Sequence, residues 1–289
     1  MILGMDMGGT TLRAALVDEQ SQPGEILRFP VPADRDGQAQ LPLAAAERFL
    51  GRFSAIGLAI AGTVADGLVT RTPNLQLEGT DLGSALRTVS QGRAVIVNDA
   101  TAAGVAEARL GVATGERLVF AITVGTGIGG VLIFDGQPLE GRGAAGEVGH
   151  MVIHPDGPTC GCGRRGCWET FSSGSALDRA ATQLLADAAT PNAADLVQAA
   201  EHGNQAAAAA VSQAATDFSL GVDNVCAILN PDLIILGGGV FARDGLVSDA
   251  YLAAASQLRW GAATRIARSK LGDQAGLVGA AMLARDAGH

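Results

Sequence analysis

The sequence lacks two features of exported and membrane proteins. No apolar run approaches the roughly 20 residues that a membrane-spanning helix needs. Residues 1–6 lack the basic and apolar regions of a secretory signal. These absences predict a protein that works in the cytoplasm and does not contact a membrane.

Basic residues are scarce as well. The 20 Lys and Arg residues are outnumbered by 29 Asp and Glu residues, which gives a net charge of -9. A nucleic-acid-binding surface needs clustered basic residues to neutralise phosphates, and no stretch of this sequence collects them. The sequence therefore predicts no nucleic-acid partner.

The 4 cysteines are too few for a disulfide framework in a chain of 289 residues. Three of them cluster with a histidine, as His150, Cys160, Cys162 and Cys167. One imidazole and three thiolates satisfy four-coordinate zinc, so the cluster predicts a structural Zn²⁺ site without an open position for substrate. The spacing also allows His154 as the imidazole ligand. Cys226 lies in an apolar helical pattern and is expected to be packed there.

A hydrophobic content of 48% is typical of a compact α/β protein, and 289 residues are enough for two domains. Apolar runs predict strands at residues 2–5, 11–17, 25–31, 56–60, 94–97, 118–124, 131–134, 231–236 and 264–266. Helical spacing predicts helices at residues 41–52, 100–110, 175–188, 204–229, 249–258 and 276–287. Residues 70–75 are expected to form a loop.

Glycine-rich turns follow several of these strands. Residues 6–10 form a turn whose backbone amides can approach phosphate oxygens and whose Asp6 can hold a hydrated Mg²⁺, although an ordinary hairpin has the same pattern. Residues 125–130 satisfy Gly-x-Gly-x-x-Gly, but a strand follows where a dinucleotide-binding fold has a helix. This disfavours a nicotinamide enzyme. Residues 237–239 form a third junction between a strand and glycines.

Asp99 follows a buried strand and precedes a helix. A carboxylate at this position accepts backbone N–H bonds, so Asp99 is expected to cap the helix. Polar residues at a strand's end also tend to lie in a binding site, so a catalytic role for Asp99 is expected in addition to the cap.

Five motifs in this order resemble the ROK family of repressors and sugar kinases: residues 6–10, 98–103, 123–130, 146–169 and 237–239. The resemblance implies an actin-like, hexokinase-type (ribonuclease H-like) pair of α/β domains with a central cleft and a zinc-stabilised loop. It implies a smaller domain of residues 1–105 and 272–289, and a larger one of residues 106–271 that carries the zinc motif.

The resemblance also implies roles for residues. Asp99 would be the general base that accepts the proton of a sugar 6-hydroxyl. The sugar-binding residues would be Gly62, Asn74, Asn98, Asp99, Glu147, His150 and Glu169. The residues for ATP and Mg²⁺ would be Asp6, Gly8, Gly9, Thr10, Thr11, Gly125, Thr126 and Gly127, with Gly237, Gly238 and Gly239 on the adenosine side. Thr11 departs from the lysine that many family members carry there.

The implied activity is ATP-dependent phosphorylation of a hexose, with glucose favoured. Kinases of N-acetylmannosamine, N-acetylglucosamine, fructose or allose are alternatives, as is a sugar sensor without catalysis. Family repressors carry an added N-terminal helix-turn-helix, whereas this sequence starts at the first strand, so no DNA-reading domain is expected. A homodimer or homotetramer is expected by resemblance. One nitrogen of His150 would bind zinc while the other meets a sugar hydroxyl.

Overall fold

A computed structural model describes residues 1–72, 74–141, 144–185, 190–257, 259–260 and 263–287. The strands of this part are β1 (Ile2–Met7), β2 (Thr11–Val17), β3 (Leu27–Pro30), β4 (Ile56–Ile60), β5 (Thr63–Ala65), β6 (Leu68–Arg71), β7 (Ala94–Asn98), β8 (Leu118–Val124), β9 (Ile128–Phe134), β10 (Gln137–Pro138), β11 (Leu233–Gly237) and β12 (Arg265–Arg268). The helices are α1 (Arg35–Glu47), α2 (Leu82–Val89), α3 (Asp99–Leu110), α4 (Glu169–Ser172), α5 (Gly174–Leu184), α6 (Ala193–Glu201), α7 (Gln205–Leu229), α8 (Leu246–Ala255) and α9 (Ala275–Asp286). Among these described helices, none has the length and apolar character required to cross a membrane.

The chain divides into two compact units. Unit 1 comprises Met1–Gly115, Gly136–Ala145 and Lys270–His289, and unit 2 comprises Glu116–Asp135 and Gly146–Ser269. The chain therefore leaves unit 1 and returns to it twice.

The sheet of unit 1 has the strand order β3-β2-β1-β4-β7. β1 and β2 form an antiparallel hairpin in which Asp6 lies opposite Arg13, while β4 and β7 run parallel to β1. Helix α9 packs on β1 and β4 so closely that a Cβ atom on Gly57 would lie 2.0 Å from the carbonyl oxygen of Ala280. Because parallel strands end at one edge of a sheet, Asp6 and Asn98 lie at the same edge.

In unit 2, the strands are ordered β9-β8-β11-β12, with β8 antiparallel to β9 and parallel to β11. Aromatic residues fill the core beside this sheet. The rings of Phe218 and Tyr251 stack with centroids 4.6 Å apart, and the Tyr251 hydroxyl donates to the carbonyl oxygen of Ser172 at 2.9 Å. Trp168 is fully buried, and a Cβ on Gly221 would lie 2.0 Å from its indole ring, so Trp168 packs closely against α7.

Some predicted boundaries are wrong. The helix predicted at residues 41–52 is α1, which begins at Arg35 because the side chain of Asp34 accepts a hydrogen bond from the Gly37 amide at 2.8 Å. Residues 70 and 71, predicted as loop, belong to β6, which pairs with β5 in a short antiparallel hairpin.

Three short helices were not predicted, α2, α4 and α6. The N-termini of α2 and α6 are capped by the side chains of Asp81 and Asn192. Helix α5 ends at Leu184, four residues before the predicted end, and residues 186–188 of that prediction lie outside the described residues. Predictions that include Pro73, Leu258 and His289 also fall outside them.

Candidate active site and metal centre

The first glycine turn lies at the end of the β1–β2 hairpin. It spans Gly8–Thr10. The prediction that the turn begins at Asp6 is wrong, because Asp6 and Met7 still belong to β1. A Cβ atom on Gly9 would come within 3.2 Å of the Cβ of Asn74. The predicted phosphate loop and the predicted sugar residue Asn74 are therefore neighbours.

The carboxyl group of Asp6 is mostly buried behind this turn. Its pKa is raised from 3.8 to about 6, chiefly by burial and also by the neighbouring Asp99, while Arg13 acts in the opposite direction and lowers it. Nη1 of Arg13 lies 3.7 Å from Oδ2 of Asp6. Mg²⁺ prefers oxygen ligands and typically binds through one or two carboxylates together with substrate phosphates. Because two carboxylates make this site negative, its residues fit Mg²⁺.

Asn98 and Asp99 lie where β7 meets α3. The prediction that Asp99 caps this helix is wrong, because Oδ1 of Asn98 accepts the Thr101 amide at 3.0 Å and Asp99 is the first helical residue. Asn98 has the extended backbone of a cap residue. Oδ1 of Asp99 accepts the Ala100 amide at 2.9 Å, and burial raises the pKa of Asp99. A raised pKa makes this carboxylate a stronger proton acceptor once it is ionised.

The Asn98 side chain also contacts Gly62. Its Nδ2 donates to the carbonyl oxygen of Gly62 at 2.9 Å. A Cβ on Gly62 would lie 2.4 Å from the carbonyl oxygen of Arg71, so this position has no space for a side chain. Both the oxygen and the nitrogen of the Asn98 side-chain amide are thus hydrogen-bonded to the backbone, which fixes its orientation.

The predicted zinc ligands converge in unit 2. One potential ligand atom from each of His150, Cys160, Cys162 and Cys167 lies within 4.8 Å of the others. The Sγ of Cys160 is 3.5 Å from Nδ1 of His150, and the Sγ atoms of Cys162 and Cys167 are 3.6 Å apart. Tetrahedral zinc with Zn–S bonds of ~2.3 Å separates its ligand atoms by about 3.5–3.8 Å. Both the donors and their spacing fit zinc.

Glycines shape the loop that carries these ligands. Gly163 and Gly166 have φ angles of +87° and +74°, which residues with a side chain rarely adopt. A Cβ on Gly166 would also lie 1.7 Å from the carbonyl oxygen of His154. The tight turns bring the cysteines on either side of them together.

His154, the alternative imidazole ligand, has a different partner. Its Nε2 lies 2.7 Å from Oδ1 of Asp217, a buried residue of α7, and its ring meets Phe171 edge-on with centroids 4.8 Å apart. The structure therefore places His150, and not His154, with the thiols.

Two carboxylates flank the His150 ring. Oε1 of Glu169 lies 3.5 Å from Nδ1 of His150 and 2.9 Å from the Sγ of Cys160, while Oε2 of Glu147 lies 3.8 Å from Nε2. Nδ1 therefore faces the thiols, and Nε2 faces Glu147. The predicted sugar residues of unit 2 form one cluster next to the metal ligands.

The second glycine loop connects β8 to β9 and is followed by a strand, as predicted, which does not fit a dinucleotide-binding fold. The carbonyl oxygens of Gly125 and Thr126 accept backbone N–H bonds at 2.7 Å and 3.3 Å from the first residues of α5. A Cβ atom on Gly127 would lie 2.7 Å from Oε2 of Glu169. This predicted phosphate loop thus contacts the carboxylate cluster.

The third glycine segment lies beside the end of β8. Gly237 ends β11 opposite Thr123. Gly238 has a φ of +86°, and a Cβ on it would lie 2.6 Å from the carbonyl oxygen of Val124. Gly239 begins a short 3-10 turn. The two glycine segments of unit 2 therefore share one edge of the sheet.

The surroundings of Asp6 were not predicted from the sequence. Besides its ion pair with Asp6, Arg13 donates through Nη1 to the carbonyl oxygen of Asp273 at 2.6 Å, and Gly276 leaves room for the Asp6 carboxyl group. Arg13, a charged residue in the mostly apolar strand β2, was a signal in the sequence. The hydrogen-bond partner of Arg13, Asp273, is 260 positions away and could not be inferred from local patterns.

Comparisons with known proteins cover nearly the whole chain. A sequence model described as the ROK family matches residues 2–287. The glucokinase of Streptomyces coelicolor is 31% identical over 312 residues, covering 99% of this chain and 98% of the relative. The N-acetylmannosamine kinase of Salmonella typhi is 33% identical over 291 residues, covering 98% of each chain.

A solved structure gives the same result for the fold. A ROK family glucokinase from Streptomyces griseus, in complex with glucose and AMPPNP, superposes with a TM-score of 0.81 at 32% identity and covers 99% of both chains. The family resemblance and the predicted actin-like, hexokinase-type α/β fold class are confirmed.

Proposed function

Because the chain belongs to the ROK family, we propose that it transfers the γ-phosphoryl group of ATP to the 6-hydroxyl of D-glucose. The enzyme class follows from relatives that are sugar kinases and match this chain over nearly its whole length. The choice of glucose and of the 6-hydroxyl is the finer part of the proposal. ATP as phosphoryl donor is supported by the similar glucokinase structure with an ATP analogue.

The observation that carries the proposal is the mostly buried carboxyl group of Asp99 beside Asp6 and its glycine turn. Asp99 accepts the proton of the sugar hydroxyl while the hydroxyl oxygen bonds to the γ-phosphorus. The bond between that phosphorus and the bridging oxygen of ADP breaks. Phosphoryl transfer asks a protein mainly for positioning and charge stabilisation, so one base and fixed donors suffice.

Sugar hydroxyls are proposed to bind to a set of polar groups and one glycine backbone: Gly62, Asn74, Asn98, Asp99, Glu147, His150 and Glu169. Support comes from the fixed amide of Asn98 and from the carboxylates on both sides of His150. A site built from such groups rejects a sugar that lacks a hydroxyl, because its own polar atoms then lose their partners.

The ATP phosphates are proposed to bind to the backbone and side chains of two glycine turns, Gly8, Gly9, Thr10 and Thr11 with Gly125, Thr126 and Gly127. Gly237, Gly238 and Gly239 are proposed to lie beside the adenosine. Asp6 would hold Mg²⁺, which when bound neutralises charge on the phosphoryl oxygens. His150, Cys160, Cys162 and Cys167 would hold a structural Zn²⁺ that keeps the sugar-binding loop ordered.

Three further expectations from the sequence are kept as proposals. Residues 1–105 with 272–289, and residues 106–271, act as a smaller and a larger domain. The protein assembles as a homodimer or homotetramer. It works in the cytoplasm, where reducing conditions keep the cysteine thiolates available for zinc.

The relatives also support a second substrate. The N-acetylmannosamine kinase is as similar to this chain as the glucokinase, at 33% against 31% identity. Kinases of N-acetylglucosamine, fructose or allose belong to the same class of alternatives. A sensor without catalysis is disfavoured because Asp99 is present and its pKa is raised.

The test is an assay of the purified protein with ATP, Mg²⁺ and a panel of these five sugars. We expect glucose to give the highest kcat/KM and the product to be the 6-phosphate, identified by NMR. Preferred turnover of an N-acetylated sugar would replace glucose as the substrate but keep the kinase class. No phosphorylation of any sugar in the panel would contradict the proposal.

A further inference from the structure

Arg13 and Asp6 form a pair across the β1–β2 hairpin. They are direct cross-strand neighbours, and their side chains are 27% and 19% exposed. The distance of 3.7 Å between Nη1 and Oδ2 is too long for a direct hydrogen bond and is that of a partly buried ion pair. Such a pair restricts the carboxylate more than a solvated one does, because fewer water molecules compete for its oxygens.

The other side of the guanidinium contacts the segment that enters α9. Nη1 donates to the carbonyl oxygen of Asp273 at 2.6 Å, and Nη2 lies 3.7 Å from the Asp273 carboxylate. Asp273 lies in the short turn immediately before α9. Arg13 therefore joins the end of β1 to the start of α9 through one planar group, which a lysine could not do with the same geometry.

Gly276 closes the third side of the Asp6 carboxyl group. A Cβ atom at this position would lie 3.1 Å from Cγ and 3.2 Å and 3.3 Å from the two carboxyl oxygens. Contacts this short require the carboxyl group to shift. The Asp6 carboxyl group thus lies between the Arg13 guanidinium and the first turn of α9, with little freedom to rotate.

Asp6 is surrounded by both negative and positive side chains. The carboxyls of Asp99 and Asp273 also act on Asp6, and Arg13 is the cation that acts on it. Thr11, the first residue after the glycine turn, is neutral. Repulsion from the other carboxylates would turn Asp6 away from a fixed orientation if the guanidinium were absent.

We propose that Arg13 is a positioning residue for phosphoryl transfer, which holds the Asp6 carboxylate in the orientation that binds the Mg²⁺ of Mg·ATP. This inference rests on the proposed kinase function. It assigns no direct contact between Arg13 and the sugar or the phosphates. Residues that orient a metal ligand typically contribute about 10- to 100-fold to metal affinity.

The test compares Arg13→Ala, Arg13→Lys and Gly276→Ala with Arg28→Ala as control. Arg28 is the exposed residue opposite Arg13 on β3. The first readout is binding of Mn²⁺ in the presence of AMPPNP, followed by electron paramagnetic resonance. The second is the Mg²⁺ concentration at half-maximal rate, together with kcat and the sugar KM. Thermal unfolding checks the fold of each variant.

We expect Arg13→Ala to weaken Mn²⁺ binding and raise the half-maximal Mg²⁺ concentration by roughly tenfold or more, with kcat reduced and the sugar KM little changed. Arg13→Lys should restore part of the Mn²⁺ affinity. Gly276→Ala should weaken Mn²⁺ binding although alanine is the better helix former. Arg28→Ala should behave like the unaltered protein.

Arg13 is only a structural ion pair if Arg13→Ala lowers the unfolding temperature yet binds Mn²⁺ as Arg28→Ala does, and that result overturns the proposal. If Arg13→Ala does not fold, Gly276→Ala decides by the same criterion. Mn²⁺ binding is measured without turnover. An unaltered protein that phosphorylates no sugar would therefore contradict the kinase function, while the Mn²⁺ comparison would still decide the role of Arg13.

Discussion

Gly127 and Glu169 are in contact: a Cβ atom on Gly127 would lie 2.7 Å from Oε2 of Glu169. The glycine belongs to the loop proposed to bind phosphate, and the glutamate to the cluster proposed to bind sugar. The Glu169 carboxylate therefore occupies space that a side chain at residue 127 would fill. Within unit 2, the two proposed subsites share this contact.

Gly127→Ala is expected to raise the sugar KM by about 10-fold, because it displaces Glu169, and a hydrogen bond to a charged group contributes about 1.5–3 kcal/mol. Gly125→Ala is the matched control, since a Cβ on Gly125 meets no atom within 4 Å. Steady-state kinetics with varied sugar measure the effect. Equal sugar KM values for the two variants would show that the Gly127 contact does not position Glu169.

The rate should depend on pH through Asp99. Burial raises its pKa, and only the ionised carboxylate can accept the hydroxyl proton, so kcat/KM should fall as the pH is lowered. The fall in kcat/KM should begin at a pH above the ordinary aspartate pKa of about 4. Because Asp6 and Asp99 interact, the apparent pKa belongs to the pair. A profile that stays flat down to about pH 4.5 would exclude a base with a raised pKa.

Stability should change with pH in a direction set by Asp6. Its pKa is about 6 in the folded protein against 3.8 for the free side chain, so the folded state binds the proton more tightly. Asp6 therefore lowers the free energy of unfolding above pH 6, and this penalty disappears as the pH falls towards 3.8.

Asp6→Asn removes this titration. The gain in free energy of unfolding from Asp6→Asn over the unaltered protein should be larger at pH 8 than at pH 4. The difference between the two pH values should be up to roughly 3 kcal/mol, at about 1.4 kcal/mol per pKa unit. Urea unfolding at a series of pH values measures the difference. Asp36→Asn, at an exposed position in the first turn of α1, should show no such trend. The same trend in both variants would contradict the assignment to Asp6.

Metal content should distinguish the two histidines of the zinc loop. The unaltered protein and His154→Ala should contain ~1 zinc ion per chain, whereas His150→Ala should lose most of it. Loss of zinc should lower both the unfolding temperature and the sugar affinity, because Glu169 belongs to the same cluster. Zinc retained in His150→Ala and lost in His154→Ala would reverse the ligand assignment.

The sequence predicted the strands and glycine turns well because these signals are local. The buried run at Ile56–Ile60 is β4 with its predicted ends, and the predicted hairpin at residues 6–10 is present with a shorter turn. Helix starts were less accurate. The start of α1 depends on one side-chain bond from Asp34, which no periodic pattern reveals.

The parts of the site that were missed depend on contacts between distant residues. His154 could not be separated from His150 by spacing, because its partner Asp217 is 63 positions away. The environment of Asp6 likewise needs Arg13 and Gly276 together. The cap of α3 was assigned to Asp99 because its residue type fits, but backbone conformation gives that place to Asn98.

The central claim is that Asp99 is the base of a sugar kinase, and a comparison of Asp99→Asn with the unaltered protein tests it most directly. Glucose 6-phosphate formation and glucose affinity, the latter by calorimetry, are measured on the same samples. The account predicts that Asp99→Asn loses nearly all turnover, by roughly 10²- to 10⁴-fold, with glucose affinity largely retained. Normal turnover by Asp99→Asn would contradict it.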